Sequence, residues 1–133
     1  MLLMIIGLTL FAGVHLIPSL APGLKTAWVG AMGANGYKGS FSLLLLAGLL
    51  LIVLGWRSMT PTGLYAPPTA LHGVALGALY IAFLLMVTSS RNSRLRQWIR
   101  HPQLTGVLIW ALAHLGLNGD SRSVLLFSVL AAW

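Results

Sequence analysis

Residues 41–56 read FSLLLLAGLLLIVLGW. The stretch carries no charge, and Ser42 is its only hydroxyl. An apolar run of this kind is either a strand or helix inside a protein core or a helix in lipid, and its surroundings decide which. Here the surroundings are more of the same. Residues 1–20, 71–87 and 104–117 also lack charged side chains. A bilayer core takes about 20 mostly apolar residues per helix. The pattern therefore predicts an all-α polytopic transmembrane bundle, with spans at about 1–20, 41–56, 71–87 and 104–117. A fifth segment, 123–133, is partial. From residue 121 to 133 a helix rises only about 20 Å, against a core of about 30 Å. The expectation is four full spans, a partial fifth and a C-terminal truncation. Residues 1–20 have no Lys or Arg ahead of the apolar run and no small-residue cleavage pattern after it, so they read as a retained span rather than a signal peptide.

Composition agrees. Of 133 residues, 58% are hydrophobic and 7% charged, where a soluble domain has roughly a quarter charged. There are 8 Lys and Arg, one carboxylate (Asp120) and no cysteine. This excludes a catalytic carboxylate pair, a carboxylate-rich cation site, disulfides, thiolate metal sites and a cysteine nucleophile. A net charge of +7 on so apolar a chain points to a lipid bilayer rather than nucleic acid as its partner. Lys25, Lys38, Arg91, Arg94, Arg96 and Arg100 fall in the first and third connections, while Arg57 and Arg122 fall on the opposite side. The positive-inside rule then puts the N-terminus outside. Arg91, Arg94, Arg96 and Arg100 read as a topology determinant or as contacts to an anionic ligand.

The connections are punctuated by proline and glycine. Pro18, Pro22 and Gly23 are expected to end the first span and begin an interfacial stretch over 24–38, with Trp28 and Tyr37 at headgroup level. Pro61, Pro67 and Pro68 keep the second connection from being helical throughout. Asn118, Gly119 and Asp120 form a tight turn, with the left-handed conformation expected at Asn118 or Gly119 and Asp120 capping the next helix. Gly73, Gly77, Gly48 and Gly55 read as close-packing positions.

Once acids and thiols are excluded, histidine is the main candidate for chemistry. His72 and His101 fall at span ends. His15 and His114 fall within spans, where an ionisable group is a functional candidate. Gly7, Phe11 and His15 are spaced by four residues, as are Gly106, Trp110 and His114, so each set lies on one helix face. The glycine would give clearance, the ring a flat wall and the imidazole an iron ligand. Two such faces opposed could hold a haem. The alternative is a pair of buried histidines hydrogen-bonded to neighbouring helices.

The order Phe11-Ala-Gly-Val-His15, Ala21-Pro22-Gly23, Tyr37-Lys38-Gly39 and then His101-Pro102, Gly106, Trp110, Ala113-His114-Leu115 and Asn118-Gly119-Asp120 resembles that of NnrU-family membrane proteins. The resemblance covers essentially the whole chain, as a single NnrU-like domain over 1–133. It implies a bacterial inner-membrane protein connected with denitrification and nitrogen-oxide metabolism. Respiratory or denitrification membrane proteins would be its partners. A plant relative, the 15-cis-zeta-carotene isomerase, shares the domain and uses haem b with histidine ligation. Its Trp, Cys and His motif would fall on Trp110, Ala111 and His114, so the thiolate is absent here, and the other ligand would fall on His15. Three readings follow: a haem-binding protein, a non-enzymatic subunit or assembly factor of a respiratory complex, and a carotenoid-type isomerase.

Overall fold

A computed structural model describes residues 1–89 and 99–133. Among these, five helices occur and no strand. They are α1 (Leu2–Leu20), α2 (Pro22–Ser58), α3 (Leu71–Thr88), α4 (Pro102–Leu117) and α5 (Ser121–Ala132). Residue contacts divide the chain into two compact units, Met1–Thr60 and Pro61–Trp133. Arg91, Arg94, Arg96 and Trp98 lie outside the described residues.

α1, α2 and α3 are long and apolar enough to cross a membrane. The fourth expected span is the shorter helix α4, whose 16 residues rise about 24 Å. α5, the expected partial fifth, has 12 residues. By length, three of the described helices therefore qualify as full spans, not four.

In the first unit, α1 and the C-terminal part of α2 form an antiparallel hairpin whose backbones meet at glycines. A Cβ on Gly7 would lie 2.6 Å from Ile52 N and 2.8 Å from Gly48 O. One on Gly48 would lie 3.1 Å from Phe11 N, and one on Gly55 only 2.6 Å from Met4 Cβ. Met4 and Leu8 are buried in this seam. Lipid offers no hydrophobic drive for helix association, so close backbone approach through small residues is the main source of attraction. Gly48 and Gly55 thus pack as their spacing suggests.

α1 ends at Leu20, where the first span was expected to end, with Pro18 inside its last turn and the break at Ala21. The stretch over 24–38 is helical. α2 begins with Pro22 at its first turn, where a missing N–H costs nothing. The helix is interrupted at Gly33 (φ 72°, ψ 169°), a conformation open in practice only to glycine. The break separates a short N-terminal arm from the hairpin span.

In the second unit, α3 and α4 pack through Gly106. Its Cβ position is 2.8 Å from Ala82 O and 2.9 Å from Met86 Cγ, with Ala82 and Leu85 buried beneath. Gly73 and Gly77, expected to form the packing face of α3, have no atom within 4 Å of their Cβ positions. The seam lies on the Ala75, Ala82 and Leu85 face instead.

The proline-rich connection, non-helical as expected, docks on the α4–α5 turn. Leu64 N donates to Gly119 O (2.7 Å) and Ser121 N to Thr62 O (2.8 Å), an isolated antiparallel bridge. The Tyr65 hydroxyl donates to Leu115 O and to Asn118 O (3.0 Å). Gly119 is required here because the Tyr65 carbonyl occupies the place of a Cβ. It is not left-handed, and neither is Asn118 (φ −129°, ψ 117°). The turn is closed by the docked connection rather than by a positive-φ cap.

Replacing Gly55 by leucine should destabilise the first unit by about 1–3 kcal/mol, because the Met4 N and Cα that it meets are backbone and cannot step aside. Reversible unfolding of the detergent-solubilised protein measures this. Gly73→Leu, with open space around it, should change stability little.

Candidate functional site

His15 lies five residues before the end of α1, and its position on the helix determines its bonding. A helical side chain leans back over the preceding turn, so the ring reaches the carbonyl four residues earlier. His15 Nδ1 is 2.9 Å from Phe11 O. His114 does the same in α4, with Nδ1 2.8 Å from Trp110 O. A carbonyl can only accept, so Nδ1 donates in both rings. In the neutral tautomer the lone pair then sits on Nε2, the form in which imidazole binds metals.

Aromatic rings also flank each imidazole. Phe11, one turn before, is 4.5 Å from His15 centroid to centroid. Phe41 of α2 approaches edge-on at 6.0 Å. Phe41 in turn meets Tyr37 (5.7 Å) and Trp28 (6.4 Å), and Trp28 and Tyr37 meet at 5.1 Å. The N-terminal arm thus folds its tryptophan back onto the hairpin near His15. In the second unit Trp110 is 4.7 Å from His114. Phe127 of α5 stacks on His114 at 4.4 Å and 26°, and touches Trp110 edge-on at 5.1 Å.

The structure therefore pairs Phe11 with His15 and Trp110 with His114, as the four-residue spacing suggests. It uses the two glycines differently. Gly7 and Gly106 were expected to give clearance to a flat ligand, but the space beside them is filled by α2 and α3 respectively. Their role is to bring each histidine-bearing helix against its partner. His114 also lies closer to a helix end than expected, in the last turn of α4. His72 is exposed at the start of α3, and His101 is exposed as the N-cap of α4. Among the described residues no three His or Asp side chains gather at one point, so the units offer single imidazoles rather than a chelating cage.

Phe41 and Phe127 were not singled out from sequence. Both come from the neighbouring helix, and their register follows from connections whose geometry no local pattern encodes. A weak signal existed for Phe127, the only ring inside α5 itself.

Asp120 caps α5 as expected. Its Oδ1 accepts from Arg122 N (3.0 Å) and Ser123 N (3.1 Å), and the Ser123 hydroxyl donates to Oδ2. The Arg122 guanidinium stands 3.6 Å away. Burial pushes the carboxyl's pKa up, but the hydrogen bonds from Ser123 and Arg122 and the nearby guanidinium outweigh it and hold the pKa below its ordinary value. The cap anchors the helix that carries Phe127.

These features define a polytopic α-helical membrane protein with paired helices and one ring-flanked imidazole in each unit. The chain belongs to the NnrU protein family, whose sequence profile matches residues 3–133. Neither the curated proteins nor the solved structures contain a significant match.

Asp120→Ala should cost about 1 kcal/mol through the lost cap. The sign of its pH dependence follows from the lowered carboxyl pKa. The contribution of Asp120 is present above the unfolded carboxyl's value of about 3.9 and is lost as pH falls through the lower folded value. The stability difference between wild type and Asp120→Ala should therefore be full near pH 6 and shrink below about pH 4, as read by thermal unfolding at each pH.

Proposed function

We propose that this chain is a haem-b-binding protein of the bacterial inner (cytoplasmic) membrane, serving nitrogen-oxide metabolism of the denitrification type, with its N-terminus outside. His15 in one unit and His114 in the other would each offer an imidazole to haem iron. Phe11 and Trp110 are the flat walls beside them, and Phe41 and Phe127 are added to that set by their ring contacts. Gly7 and Gly106 contribute by setting the helix approach that holds each histidine-bearing face.

The observation that carries this reading is the matched bonding of the two rings. Each Nδ1 bonds to the carbonyl four residues earlier on its own helix. That fixes the tautomer and orientation that histidine ligands need. The residues present thus fit imidazole ligation of an iron. Haem iron with imidazole ligands supplies one-electron redox chemistry. With Ala111 in place of a cysteine, a thiolate ligand at that position is excluded.

The test is the visible spectrum of protein purified from haem-replete cells. A Soret band is expected, lost or strongly altered in His15→Ala and again in His114→Ala, with His72→Ala as an unaffected control. A colourless protein that is nonetheless folded by circular dichroism overturns the proposal.

A further inference from the structure

A second place in the molecule joins polar and apolar lining in one continuous depression. At the start of α4 a cavity of about 270 Å³ is lined by Ser89, Arg100, His101, Pro102, Gln103 and Leu104. A second, of about 260 Å³, adjoins it between the first turns of α4 and the last turn of α5. Leu104, Val107, Leu108, Leu130 and Trp133 form most of its wall. His101 and Leu104 line both. The pair therefore changes from cationic and amide-rich to aliphatic across the width of two residues.

That sequence of surfaces matches the sequence of chemistry in a phospholipid. Arg100 is exposed in the polar cavity, and a guanidinium suits a phosphate better than any other side chain does. His101 and Gln103 add donors to the same wall. Below it, Leu104 and Leu108 are exposed apolar side chains on a helix whose remaining length is hydrocarbon-compatible. The carboxylate of Asp120 stands at the opposite end of α4, so the polar cavity has no acidic residue in its lining. The start of α4 also presents the positive end of its helix dipole.

We propose that these adjoining cavities form a binding site for an anionic phospholipid, with the phosphate at Arg100 and one acyl chain along Leu104, Val107 and Leu108. The occupant is a lipid rather than a free phosphate because the apolar cavity continues the polar one. A small anion would leave that groove without a function. The site is separate from both ring-flanked histidines and does not depend on haem binding.

Native mass spectrometry of the full chain in detergent tests this with phosphatidylglycerol, phosphatidylcholine of the same acyl chains, and inorganic phosphate as probes. Phosphatidylglycerol should be retained in preference to phosphatidylcholine. Arg100→Gln should weaken its retention about fivefold, the effect of one basic residue near an anionic surface. Arg57→Gln, which removes an exposed arginine of the other unit, should leave it unchanged. Val107→Phe, which fills the groove, should lower retention while keeping the helical signal by circular dichroism. Equal retention of the two lipids overturns the proposal. So does equal loss in Arg57→Gln, or no change in Arg100→Gln or Val107→Phe. Displacement of the lipid by inorganic phosphate would also overturn it, by showing an anion site in which the acyl chain takes no part.

Discussion

Hydrocarbon has no hydrogen bonds to offer, so each polar side chain on a membrane helix must find its partner within the protein. In this chain the partner is repeatedly the backbone of the same helix. Ser40, Ser58, Thr88 and Thr105 each return a hydroxyl to a carbonyl three or four residues earlier. His15 and His114 follow the same rule through Nδ1. The consequence differs with chemistry. A hydroxyl that bonds back is satisfied and silent. An imidazole that bonds back through one nitrogen is oriented, with the lone pair of its neutral form on the other nitrogen.

The second constraint is packing without a hydrophobic drive. Gly7, Gly48 and Gly55 in one unit and Gly106 in the other let backbones approach within contact distance. Each histidine-bearing helix is held by a glycine two turns before its histidine, so the residues that fix the fold and those that offer chemistry share a face. Aromatic rings from the neighbouring helix then complete the surroundings of each imidazole. Phe127 depends in turn on the Asp120 cap and on the docking of Tyr65 over the α4–α5 turn, which set where α5 starts and how it runs.

Much of this was legible from residue spacing. The apolar runs marked the helices, the four-residue interval marked the histidine faces, and Asp120 before Ser-Arg-Ser marked a cap. Pro18 and the Pro22-Gly23 pair marked the end of the first helix, which breaks at Ala21, and Pro22 also opens the next helix. Local pattern misled where a residue had two possible uses. Gly73 and Gly77 had the spacing of a packing face, yet small residues pack only where a second helix is present, and α4 lies on the other side of α3. Gly119 was placed correctly in a turn for the wrong reason, since the Tyr65 carbonyl and not a positive φ demands it.

The sequence by itself determined that the chain is helical and membrane-embedded, because the count of charges and the length of the apolar runs leave no other solvent for it. It also determined which imidazoles lie on faces with an aromatic residue, because helical periodicity is local. Tertiary structure alone decided what stands opposite those faces. Phe41 and Phe127 reach the histidines through the break at Gly33, the glycine seams and the docked connection, each of which rests on contacts between residues far apart in the chain.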